Sequence, residues 1–197
     1  MSSNPHPAVD LSAAHGEILS ATQHWLTRAV IGLNLCPFAK AVYVKQQIRY
    51  TICTAREPAG ILADLERELR WLAECDPQHT DTTLLIVPDA LADFHDYNDF
   101  LYLAEHTLQQ LRLSGTLQIA SFHPDYQFDG SQADDIENYT NRAPYPILHL
   151  LRETSIERAV AAFPNAAAIY ETNQATLRRL GHAGWQAWLD EAASPDV

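Results

Sequence analysis

Apolar positions recur along the chain with two different periods. Ile18, Leu19, Trp25, Leu26, Ala29, Val30 and Leu33 fall on one face of a 3.6-residue helix, and Gly32–Asn34 has the composition of its end. Residues 46–54, QQIRYTICT, alternate instead, with Ile48, Tyr50 and Ile52 on one side, which predicts a half-buried strand. Pro58 then opens a second helix whose apolar face is Ile61, Leu62, Leu65, Leu69 and Leu72, with Glu66 and Arg70 paired across one turn of the other face. TLLIVP, 83–88, is short and continuously apolar, as a central strand is. A long helix from near Ala92 to Leu113 ends at Gly115, and LQIASF, 117–122, is a third strand. Beyond a polar stretch, helices are expected near 146–153, 155–163 and 165–180, followed by the Trp-containing end GWQAWLD.

This alternation of strand and helix predicts an α/β fold. The expected form is a small, mainly parallel sheet of three or more strands, with helices on both faces and a helical C-terminal region. An α+β arrangement with an antiparallel pair is the alternative. Residues 1–12 read as a loose N-terminal tail and 13–197 as one globular domain.

Charge narrows the partners. The formal net charge is −12, and the only lysines are Lys40 and Lys45. Phosphate backbones and anionic membrane surfaces both select basic surfaces, so neither nucleic acid nor membrane is an expected partner. The chain has no apolar run of about 18 residues, and its start lacks the pattern of a signal peptide. Three widely spaced cysteines, Cys36, Cys53 and Cys75, suit reduced thiols in a cytoplasm.

The candidate chemistry concentrates after the third strand. SFHPDYQFDG, 121–130, leaves the strand's carboxyl end, where open α/β sheets bind ligands. Pro124 forbids continuation as a central strand. Phe122, Tyr126, Phe128, Ile136, Tyr139 and Tyr145 are too many large apolar side chains for a solvated loop, so the segment is expected to pack.

Each constellation has a functional and a plainer reading. Cys36 precedes Pro37, which suits the first position of a helical turn; the thiol is then an activated nucleophile, a haem ligand, or a small buried hydrophobe. His123 and Asp125 form either an acid–base pair acting on substrate or a loop cap. With His149 downstream they also match the order of a two-histidine, one-carboxylate iron site. Tyr126, Asn138, Asn141, Arg142 and Arg152 are candidates to bind a small anionic ligand, since arginine forks onto carboxylate or phosphate. Alternatively, Arg142 pairs with Asp129, Asp134 or Asp135 and holds the loop down. His149 and Arg152, three residues apart, would lie one turn apart on a helix starting at Pro146 and face His123. His95 and His106 read as solvated or core histidines.

Three segments, GLNLCPFAK (32–40), FHPDYQFDG (122–130) and NYTNRAPYPILHLLRE (138–153), resemble the bacterial family of unknown function numbered 1415. The resemblance runs from about residue 16 to 180. It implies that the three segments belong to one signature and carries no activity with it. Glycine-rich dinucleotide and P-loop motifs, a Gly-x-Ser-x-Gly elbow and Cys-x-x-Cys are all absent from the chain. The readings that stand are a small-molecule enzyme using Cys36, His123 and Asp125, and a non-catalytic protein binding a metal, haem or small ligand. A protein-docking surface on 121–146 is the third.

Overall fold

The computed structural model describes residues 11–162 and 167–191. α1 (Leu11–Trp25) continues without a break into a π-helical turn, Leu26–Ile31. In that turn the Gly32 amide reaches back to the Thr27 carbonyl at 3.0 Å. A side chain at position 32 would place its Cβ 2.3 Å from the Arg28 carbonyl oxygen, so the wide turn closes only on glycine. Then come α2 (Ala39–Val44), β1 (Ile48–Ile52), α3 (Pro58–Glu74), β2 (Thr82–Ile86), α4 (Phe94–Gln110) and β3 (Leu117–Phe122). A short 3₁₀ helix (Ile136–Thr140), β4 (Ile147–Arg152), α5 (Glu153–Ala162) and α6 (Ala167–Asp190) complete the described order.

The fold is α/β, but the sheet is mixed rather than mainly parallel. Its strand order is β1-β2-β4-β3; β1 and β2 run parallel, and β4 pairs antiparallel with both β2 and β3. The expected helix over 146–153 is this fourth strand. ILHLLR offers apolar side chains to both faces of a sheet, as a central strand requires, and a short run of that kind cannot be told from a helical turn by its period. The boundary expected between helices at 163–165 and most of the loose tail fall outside the described residues; Leu11 and Ser12 already belong to α1.

Strand alternation divides the core in two. On one face Leu85, Val87, Leu148, Leu150 and Leu117 pack against Ile61, Leu65, Leu69 and Leu72 of α3 and Tyr97, Phe100 and Ala104 of α4. On the other, Leu84, Ile86, Ile147 and Phe122 meet Trp25, Leu26, Ala29 and Val30, with Leu177 and Trp185 of α6. Helices therefore cover both faces. The sheet's carboxyl edge, where β1, β2 and β3 end, is left to the loops and to the start of α4.

Candidate functional site

The 123–146 connection is held by its own polar groups. Asn138 is fully buried at its centre. Its side-chain oxygen accepts from the Phe128 amide (3.0 Å) and the Ser131 hydroxyl (2.8 Å), and its amide nitrogen donates to the Gln132 carbonyl (2.7 Å). Asn141 donates to the Ser121 carbonyl at 3.1 Å and ties the returning chain to the end of β3. Both asparagines, expected to contact substrate, thus spend their amides on the loop's backbone.

His123 is buried between α4 rings, 5.3 Å from Phe94 and 5.0 Å from Tyr97. Its Nδ1 accepts the Asp125 amide at 3.0 Å, so the ring proton sits on Nε2 and is donated to the Leu91 carbonyl at 2.9 Å. Burial pushes this imidazole below its ordinary pKa. Both nitrogens are engaged, and Asp125 meets His123 through its backbone rather than its carboxylate.

His149 lies on the opposite sheet face, 6.0 Å from the Phe122 ring. Thr82 Oγ1 donates to the Leu150 carbonyl (2.6 Å) and so accepts the His149 Nε2–H (2.7 Å). Burial pushes this imidazole down to about 4. The sheet separates the two histidines, and the expected facial triad of His123, Asp125 and His149 is not assembled. Among the described residues no group of three His, Cys, Asp or Glu is placed to hold a metal.

Arg152 also departs from expectation. As a strand, β4 puts residues 149 and 152 on opposite faces, where a helix would have put them on one. Arg152 pairs with Leu117 at the amino end of β3, five residues along β4 from Ile147, or about 17 Å. There it donates to the Cys75 carbonyl (2.9 Å) and the Thr80 carbonyl (3.2 Å). It closes the α3–β2 connection and has no access to the 123–146 loop.

Cys36 belongs to the core under α1, on the face away from His123. Burial pushes its thiol up, while the Phe38 and Ala39 amides pull the other way and do not prevail. This is the environment of a neutral thiol, and the Cys36–His123–Asp125 set is not gathered in one place.

What the loop does gather is a cleft of about 470 Å³ at the sheet's carboxyl edge. Phe94 and His95, in the first turn of α4, form one wall; Asp125, Gln127 and Asp134 come from the loop, Tyr139 and Arg142 from its return, and His182 from α6. The Asp93 carboxylate caps α4 by accepting from the His95 and Asp96 amides, which fixes that wall. Tyr139 packs edge-on against Trp185 and His182 of α6, at 5.2 and 5.5 Å.

Arg142 is held from three sides. Its Nε donates to the Tyr126 carbonyl (3.3 Å) and its Nη2 to the Ala133 carbonyl (2.5 Å). Its guanidinium lies over the Tyr139 ring at 4.3 Å, and its own carbonyl accepts the Trp25 indole N–H at 2.8 Å. Among the described residues it makes no ion pair with Asp129, Asp134 or Asp135, so carbonyls rather than carboxylates hold it. Tyr126 packs against Phe94 (5.3 Å), and its part is its backbone carbonyl, which holds Arg142.

Arg142 and Asp125 are the expected site residues that line this cleft. His95, Gln127, Tyr139 and His182 were not expected there. Asp93, an N-cap signal just after the second strand, is the sequence feature that could have placed His95 at the carboxyl edge. No curated protein and no solved structure matches the chain. A family model does, over residues 17–187, a span that contains all three signature segments and every residue of the cleft. The chain belongs to the family described as protein of unknown function DUF1415.

Proposed function

We propose that the protein binds a small molecule bearing an anionic group, a carboxylate or phosphate, in the cleft at the carboxyl edge of the sheet, with Arg142 as the anchor. One observation carries this reading. Arg142 is a half-buried guanidinium in a cavity wall, and it is positioned by neutral carbonyls and an aromatic ring instead of being neutralised by a carboxylate. A cation so oriented keeps its charge for an incoming group and has lost part of its ordering cost beforehand. The volume suits a small ligand. Asp125 and Asp134 share the lining, so a fitting ligand also presents hydrogen-bond donors to them; His95 and His182 add imidazole nitrogens to the same wall.

The engaged nitrogens of His123 favour binding over acid–base catalysis by that residue. Asp125 is the member of the expected catalytic set whose carboxylate is exposed at the cleft. The test is titration of the purified chain with inorganic phosphate and with pyruvate as a small carboxylate, followed by calorimetry and by amide shifts in NMR. Saturable, salt-sensitive binding is expected, with shifts at 125–142. Arg142→Lys should keep the fold and weaken binding by about tenfold or more, because lysine lacks the planar fork. Binding that Arg142→Lys leaves unchanged, or that shifts no residue of the cleft, would remove the proposal.

A further inference from the structure

A second cavity, of about 450 Å³, lies on the other face of the sheet, between α1, the end of α2 and the start of β1. Gln23, Tyr43, Val44, Gln46, Ile48 and Tyr50 line it. It shares no residue with the Arg142 cleft. Three features set it apart from an accidental gap under a helix.

The first is its chemistry. The lining is two phenols, two carboxamides and two aliphatic side chains, with no acidic or basic group. In a chain of net charge −12, an uncharged lining of this kind offers an ion no counter-charge and favours a neutral ligand. The second is Tyr50. Its hydroxyl is buried and finds no hydrogen-bond partner among the described residues. A buried polar group left unpaired destabilises the fold, so its retention calls for an explanation. Tyr97, the buried tyrosine of the opposite face, donates to the Ile147 carbonyl at 2.8 Å, so the fold does satisfy a buried phenol elsewhere. The third is Gln46, at the turn between α2 and β1. Its φ is 56°, in the left-handed region that side chains avoid. A glutamine in place of the glycine or asparagine usual at such turns puts a carboxamide at the mouth of the cavity at a backbone cost.

We propose that this cavity is a binding site for a small, uncharged, planar molecule with a lactam-type edge, a carbonyl beside an N–H, seated with its carbonyl oxygen on the Tyr50 hydroxyl. Burial pushes the Tyr50 phenol up to about 12, so it is a donor throughout the physiological range. The rings of Tyr43 and Tyr50 offer flat apolar surface to a planar ligand. The exposed carboxamides of Gln23 and Gln46 supply a donor and an acceptor at the rim, the complement of a lactam edge.

The probe is 2-pyridone, titrated into the full-length chain and followed by saturation-transfer NMR, with benzoate as an anionic ring of similar size. Saturable binding of 2-pyridone is expected, with shifts at Tyr43 and Tyr50, unaffected by phosphate, and benzoate should bind more weakly. Tyr50→Phe should weaken 2-pyridone by roughly three- to tenfold while the melting temperature stays the same or rises, because the variant removes an unpaired polar group. A merely structural hydroxyl would give the reverse. Gln46→Gly, which relieves the backbone, should likewise keep the fold and weaken the probe. Failure to saturate up to about 10 mM would overturn the proposal. So would equal affinity of benzoate, or undiminished binding to both variants.

Discussion

Replacing Asn138 by alanine tests whether the cleft is built on the loop's internal hydrogen bonds. The substitution removes the acceptor of the Phe128 amide, 3.0 Å away, and the donor to the Gln132 carbonyl, 2.7 Å away. Ser131 loses one partner and retains another, the Phe128 carbonyl at 2.7 Å. Two hydrogen bonds are therefore lost outright, at about 1 kcal/mol each, and a fully buried site is left with stranded backbone groups. Together these give about 2–4 kcal/mol. In a domain of this length that is roughly a 5–10 °C fall in melting temperature. Urea denaturation monitored by tryptophan fluorescence reports it as a lower midpoint at unchanged slope. Asn138→Asp is the control: it keeps an acceptor for the Phe128 amide and the Ser131 hydroxyl but faces a carboxylate to the Gln132 carbonyl, and should be at least as destabilising. Because Gln127 and Asp134 line the cleft from this loop, phosphate binding should weaken in parallel. A loss below about 0.5 kcal/mol, the range of an ordinary surface change, would show that the apolar rings, not Asn138, hold the loop.

Two further outcomes follow from the histidine and the thiol. His149 is held near 4 in the folded state against 6.5 unfolded, so between those values the unfolded chain binds the extra proton. Stability contributed by neutral His149 is complete above 6.5 and declines as pH falls towards 4, by up to about 3 kcal/mol. His149→Gln should flatten that part of the stability–pH curve relative to the parent, and identical slopes would refute it. Cys36, with its thiol pushed up by burial, should react with iodoacetamide at pH 7.5 more slowly than free cysteine; labelling faster than free cysteine would restore the nucleophile reading.

The elements with strong periods were legible. The five apolar positions of α3 lie in one helix, and the strands expected over 46–54, 83–88 and 117–122 form at 48–52, 82–86 and 117–122; the expected 18–33 face is shared between α1, which holds Ile18, Leu19 and Trp25, and the π-helical turn, which holds Leu26, Ala29 and Val30, with Leu33 beyond it. ILHLLR was misread because a central strand covered on both faces has no alternation, and six residues are too few to separate it from a helical turn; Pro146 before it tilted the reading towards a helix start. That one error brought His149 and Arg152 to the His123 site, from which the strand removes them. The carboxyl-edge location of the 123–146 loop was legible from Pro124 and the strand before it, and Arg142 from its rigid Pro-Tyr-Pro neighbour. The cleft's other wall was legible only in part: the Asp93 cap marks where α4 and His95 begin, but His182 reaches the cleft through the docking of α6, which no local pattern encodes. Nor could the saturation of His123 be read, since it depends on the Leu91 carbonyl, 32 residues away in sequence.

The place of β4 between β2 and β3 has a consequence for how the chain is made. β3 pairs with β4 alone among the described strands, and β4 is the last of the four to be synthesised. Until residue 152 has left the ribosome, β3 has no neighbour and the apolar ladder of β2 is open on one side, a sticky edge on a nascent chain. The β1–α3–β2 unit can form early, whereas closure of the sheet waits on the loop that also builds the cleft. Stalled chains ending at Tyr145 should therefore remain protease-sensitive across 117–122, and chains carrying β4 clear of the exit tunnel should be protected; protection in the shorter chain would contradict this order. Completion of the sheet then precedes the last wall of the cleft, because His182 lies on α6, beyond β4 in the chain, so the emerging polypeptide has no binding activity before its sheet is closed.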